Sequence, residues 1–213
     1  MKRSSYVKLT VCTLLVLGVS SAWAFQMGVP QPFSADYATK TKNGSNLGGK
    51  WYFSPPKMRI DVTSMPQNAG RSPFGGNVSM IIDGATQTST MLLPQMQMYM
   101  EMHGNGGPMD QGMRNLKNLS NGACPQDATC TKVGSETVNG RSCDKYEITD
   151  KAGKKSTVWI DQKLHFPIRV VDADGSQTDF TNVKEGAPDA SLFKVPAGYR
   201  PFDPAAMGGQ RRH

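Results

Sequence analysis

From Phe33 onward the chain alternates apolar and polar residues, and this period of two constrains its fold more than any other feature. Successive side chains of a strand point to opposite faces, so alternation specifies a half-buried sheet and fixes its register. F-S-A-D-Y-A-T-K-T-K sets Phe33, Ala35, Tyr37, Thr39 and Thr41 on one side, with Asp36, Lys40 and Lys42 on the other. Asn43-Gly44 then supplies a hairpin turn, because such turns need residues that tolerate positive φ. L-G-G-K-W-Y-F reads as the second strand, and Pro55-Pro56 as a corner. K-M-R-I-D-V alternates again, setting Met58, Ile60 and Val62 against Lys57, Arg59 and Asp61.

The pattern recurs to the end of the chain. N-V-S-M-I-I-D-G-A-T-Q-T-S-T-M-L-L-P predicts strand, Asp-Gly turn and strand, and M-Q-M-Y-M-E-M a sixth strand. K-V-G-S-E-T-V, R-S-C-D-K-Y-E-I, S-T-V-W-I-D, P-I-R-V-V-D and T-D-F-T-N-V-K follow, punctuated by N-G, A-G and D-G-S. About ten or eleven short strands so spaced predict a mostly β protein, an antiparallel sheet or open barrel. Gly 22 and Pro 14 in 213 residues serve that punctuation. One helix is expected, over Pro108–Leu119, where Met109, Met113 and Leu116 recur at helical spacing. Residues 64–76 read as a loop, and 201–213, which lack periodicity, as a mobile tail.

The net charge of +7 invites a nucleic-acid reading until its origin is traced. M-K-R-S-S-Y-V-K, the apolar run Leu9–Val19, and small residues at Ala22 and Ala24 are the three parts of a secretory signal peptide. The apolar run is too short for a permanent membrane span. Cleavage is expected after Ala24, leaving a domain over 25–200 and the tail. Losing Lys2, Arg3 and Lys8 leaves 21 basic against 17 acidic side chains, a balance of +4. No basic cluster is interleaved with aromatics, so nucleic acid is not the expected partner. Cys124, Cys130 and Cys143 remain in an oxidising compartment, giving one bridge and one spare thiol. Proximity favours Cys124–Cys130, with Cys124–Cys143 the alternative, and no C-x-x-C spacing supports redox chemistry.

Methionine is the compositional oddity: Met91, Met96, Met98, Met100, Met102, Met109 and Met113 fall within 23 residues, with His103 adjacent. Three readings compete. Thioethers select Cu(I), so an exported Met-x-Met array suggests copper. Against it, alternate residues of one strand stand roughly 6.5–7 Å apart, too far for neighbouring sulfurs to share an ion without bending. Met96, Met98, Met100 and Met102 on one strand face also make an ordinary apolar surface, or an adaptable pocket for acyl chains. D-A-D-G-S-Q-T-D at Asp172 fails as a calcium loop, because Gln177 and Val183 occupy the positions that need Gly and Glu. A hairpin through Asp174-Gly175 is expected there instead. No nucleophile elbow, zinc helix or phosphate loop occurs, so an enzyme is not expected, nor is a cofactor.

The order of motifs resembles a known group. P-F-S-A-D-Y, G-G-K-W-Y-F-S-P-P-K-M-R-I-D and S-M-I-I-D-G are similar to the periplasmic lipoprotein-carrier superfamily. V-N-G-R-S-C-D-K-Y-E-I, T-V-W-I-D, F-P-I-R-V and D-A-S-L-F-K-V-P-A-G-Y resemble an uncharacterised bacterial branch of it. The resemblance implies an incomplete, curved antiparallel barrel with an apolar concave face under a helical lid, in the periplasm of a Gram-negative-type bacterium. It further implies that an acyl chain or lipid-bearing protein occupies that face. The carriers' locking arginine, just before the corner proline, is replaced here by Pro55. The expected ligand surface comprises Trp51, Phe53, Met58, Ile60, Met80, Met96, Met98, Met100 and Met102, with Met109 and Met113 on the lid. The alternatives are a Met-rich copper protein or a structural, partner-binding envelope protein.

Overall fold

A computed structural model describes residues 30–64, 77–103, 124 and 127–202. Twelve strands form one open sheet. They are β1 (Phe33–Lys40), β2 (Asn46–Ser54), β3 (Lys57–Ser64), β4 (Val78–Asp83), β5 (Thr88–Leu93) and β6 (Met98–His103). The second half supplies β7 (Ala128–Val138), β8 (Arg141–Asp150), β9 (Lys155–Asp161), β10 (Pro167–Val171), β11 (Gln177–Glu185) and β12 (Arg200–Pro201). The spatial order is β12-β6-β5-β4-β3-β2-β1-β11-β10-β9-β8-β7. Two meanders therefore run outward from the central β1/β11 pair. Every pairing is antiparallel except β12 on β6.

The turns follow from their residues. Asn139 and Gly140 both have positive φ, +51° and +78°, and join β7 to β8 as a two-residue loop. That is the geometry whose twist matches paired strands. The calcium-like stretch is indeed a hairpin: Gly175 has φ +86°, and the Asp172 N–H donates to the Ser176 carbonyl at 2.8 Å.

Side chains from distant strands converge in one aromatic core. Phe33, Tyr37, Trp51, Phe166 and Phe180 are all buried. Trp51 and Phe180 lie 5.5 Å apart edge-on, although β2 and β11 flank β1. Strands two apart stand roughly 10 Å from each other, so these rings lean toward one another across β1. Leu164 and Phe166 reach this core from a turn, not a strand. Asp161, 2% exposed, accepts the N–H groups of Lys163 at 2.8 Å and Leu164 at 2.6 Å while pairing with Arg141. A buried carboxylate is tolerated because these donors replace water.

One expectation needs adjustment, and others fall at or beyond the limits of the described residues. The predicted sixth strand starts at Met98, and Met96 sits in the preceding turn, its N–H donating to Leu93 at 3.1 Å. Gln97, with φ +50°, makes that turn and takes Met96 off the strand face. At the expected start of the tail, Pro201 belongs to β12 and the Phe202 N–H donates to Tyr99 at 2.6 Å. The helical segment carrying Met109 and Met113 lies outside the described residues, as do the signal peptide, residues 65–76 and 203–213. Among the described residues the helical structure is a single 3-10 turn, Ala190–Phe193, which packs on the face opposite the methionines and so is not the expected lid.

Candidate functional site

Strand pairing sorts the expected site residues. Directly opposed residues share a sheet face. One row runs Ala35–Trp51–Ile60–Met80–Met91–Met100 across β1 to β6. The next runs Phe33–Phe53–Met58–Ile82–Ser89–Met102, and Leu93 opposes Met98 beside them. Trp51, Phe53, Met58, Ile60, Met80, Met98, Met100 and Met102 thus lie on one continuous face. Met96 does not join them. Met91, Ile82 and Leu93 complete the face, and the sequence did not single them out as ligand-facing. Their signal was available only through register, since strand alternation alone does not say which strands are neighbours.

Burial varies across this surface. Trp51, Met80 and Leu93 are buried, Met58, Ile60, Met91, Met98 and Met100 are half-buried, and Met102 is 38% exposed. Met58 and Ile60 pack against the aromatic core. Among the described residues, no buried cluster continues beyond them over β4–β6 on this side. The apolar surface therefore continues from the core through buried Met80 and Leu93 to partly solvated thioethers on β5 and β6.

The other face of the same strands is covered. Ile81 and Leu92 are buried under Phe193 of the 3-10 turn, with Leu192, Tyr52, Tyr99 and Tyr199 around them. Arg59 fastens this cover: its guanidinium donates to the Leu192 carbonyl at 2.9 Å and pairs with Asp61 at 2.7 Å. The arginine read from sequence only as lying on the polar side is thus a clasp for the C-terminal segment. Among the described residues, one apolar face is covered by the C-terminal segment, while the methionine face carries half-buried Met91, Met98 and Met100 beside buried Met80 and Leu93.

Polar groups elsewhere are engaged structurally. A cleft of about 500 Å³ lined by Gly140, Arg141, Asp161, Lys163 and Glu185 is crossed by Arg141–Asp161, Arg141–Glu185 and Lys163–Glu185 ion pairs. Its two cations and two carboxylates are matched, and Lys163, ahead of Arg141, holds the Glu185 carboxyl below the usual range. His103 pairs with Glu101 at 2.9 Å and opposes Thr88, which places both on the face away from Met100 and Met102. The histidine next to the Met array in sequence is therefore not part of it in space. Among the described residues, no three His, Cys, Asp or Glu side chains form a group able to hold a metal. The bridge is Cys124–Cys130, with Cα atoms 5.9 Å apart, and Cys143 is the free, buried thiol.

A family model described as "Domain of unknown function (DUF4412)" matches residues 37–165. No curated protein matches the sequence. An uncharacterized conserved protein from Thermus thermophilus is similar in structure, with TM-score 0.54 and 12% identity, over 81% of this chain and 90% of that one. The Pseudomonas aeruginosa MucA/MucB complex structure gives TM-score 0.49 and 13% identity over 78% of this chain and 56% of that chain. A LolA superfamily protein from Nitrosomonas europaea gives 0.38 and 12% over 80% and 94%. At such identities the Thermus likeness speaks to the fold alone.

Proposed function

This chain belongs to the DUF4412 family, and on that premise we propose that it is an exported, non-catalytic binding protein for an acyl chain or lipid-bearing partner. The observation that carries this reading is the asymmetry of β2–β6 among the described residues: one apolar face is covered by the C-terminal segment, the other ends in half-buried methionines. Methionine suits such a surface, because its unbranched, polarizable side chain adapts to ligands of varied shape. The energetics are sufficient. About ten methylene groups at ~0.8 kcal/mol each offer roughly 8 kcal/mol gross, from which immobilising the chain subtracts. The motif resemblance to periplasmic lipoprotein carriers agrees with this class of ligand, and the signal-peptide pattern at 1–24 with export.

The test is fluorescence titration with cis-parinaric acid on protein recovered from an exporting host, whose N-terminal sequence should begin at Phe25. Saturable micromolar binding is expected. A carboxylate placed mid-face by Met91→Asp, at a half-buried position, should abolish it while the thermal melt stays cooperative. Absence of saturable binding, together with a native mass spectrum free of bound lipid, sinks the proposal.

A further inference from the structure

The sheet register removes the geometric objection to metal binding by the methionines. Along one strand, alternate side chains are too widely spaced to share an ion. Across strands they are not. Met80, Met91 and Met100 are direct partners on β4, β5 and β6. Directly opposed residues have Cβ atoms about 4.5–5.5 Å apart, whereas diagonal neighbours such as Met98 and Met102 are about 7–8 Å from Met91. Each methionine has three rotatable side-chain bonds, so the outer two thioethers can lean toward the central one. We propose that Met80, Met91 and Met100 form a three-thioether site for a single Cu(I) ion.

The surroundings select the ion. Among the described residues, the same-face neighbours of the row are Ile60, Val78, Ile82, Ser89, Leu93, Met98 and Met102, and none carries charge. His103 and Glu101 point from the opposite face. With neither carboxylate nor imidazole within the row, hard divalent ions find no ligand, while a soft monovalent ion finds three. A single positive charge also costs less to desolvate beside apolar side chains than a double one. Access is graded in the same sense: Met80 is 5% exposed and anchors the inner end, while Met91 and Met100 are half-buried and reachable from solvent. Plain core packing alone would be served as well by leucine at all three positions. Only a thioether adds a donor atom.

The inference is independent of acyl binding and has its own test. Cu(I) is titrated anaerobically into the mature protein against a chromophoric Cu(I) chelator, with Ag(I) as a redox-inert surrogate followed through methionine methyl NMR signals. One equivalent should bind, shifting three methyl signals assigned to Met80, Met91 and Met100. Met91→Leu is nearly volume-conserving, so the fold should persist. It removes a direct ligand and should weaken Cu(I) by more than the roughly 10–100-fold typical of losing a hydrogen-bond partner behind a ligand. Met96→Leu, in the turn, should leave the affinity unchanged. Equal losses in Met91→Leu and Met96→Leu, or undiminished binding by the Met80→Leu/Met91→Leu/Met100→Leu protein, overturn the site, as does failure of the unmodified protein to compete with the chelator. The ion and the fatty-acid probe are titrated separately, so the failure of one reading is distinct from the failure of the other.

Discussion

Cys143 shows how a residue's chemistry is set by its surroundings. It is 0% exposed on β8, and burial, followed by the nearby Asp161 carboxylate, pushes its thiol up to about 11. A group whose pKa is raised by folding stabilises the native state fully below its unfolded value. That contribution disappears as pH climbs through the folded value. Stability should therefore fall between about pH 9 and 11, and Cys143→Ala should flatten part of that slope in urea denaturation. Tyr37, raised to about 12 by burial and then Asp61, acts in the same direction but higher, so it persists in the variant as a separate slope. In the folded protein at neutral pH, Cys143 should also resist alkylation, because neither thiolate nor access is available. Rapid labelling of native protein would refute this account.

At the scale of elements, the β2/β3 contact depends on Gly49. A Cβ built there would lie 1.7 Å from the Asp61 carbonyl oxygen, and the register shifts between Gly48 and Gly49. The obstacle is backbone, so no side chain can rotate away. Gly49→Ala must displace β3, which carries Met58, Ile60 and Arg59, and should cost at least the roughly 1–3 kcal/mol typical of overpacking. Chemical denaturation measures it, and a loss below about half a kcal/mol would contradict the geometry. Strand alternation predicted β2 and β3 but gave no warning of this close approach. The pair G-G within a strand pattern was its only trace, since glycine in a strand marks a bulge or a near backbone. Likewise Met96 satisfied the alternation perfectly, yet a four-residue turn ending at Gln97 removed it from the strand. Period two extends a strand in sequence until a turn interrupts it, and nothing in M-Q-M announces one.

For the whole molecule, the open sheet has two edges, and they are treated differently. At one end β7 is 11 residues long and, among the described residues, pairs only with β8. A bulge between Lys132 and Gly134 and the Lys132–Asp144 pair interrupt its edge, devices that discourage edge-to-edge association. At the other end β12 shields β6, with the Arg200 N–H donating to Gln97 at 2.9 Å and the Phe202 N–H to Tyr99. Truncation after Lys194 should uncover the β6 edge and remove Tyr199 from the Phe193 cluster. Dimers or larger species by light scattering are the expected result; a monomer of unchanged melting temperature would show that β12 protects nothing.

What the sequence determined by itself is the inventory: nearly every strand, most hairpins, the favoured bridge and the set of apolar side chains that must share faces. Those follow from local rules, because side-chain alternation and turn chemistry operate within a few residues. Leu164 and Phe166 escaped that reading, since a turn held by Asp161, not a strand, delivers them to the core. The tertiary structure alone decided which faces are covered and which methionines meet. Met80 and Met100 are twenty residues apart in the chain, yet both flank Met91. His103, one residue from Met102, is turned to the other side. The reason is physical: hydrogen-bonded register brings residues of neighbouring strands to about 5 Å, closer than alternate residues of one strand, and register is a property of the assembled sheet.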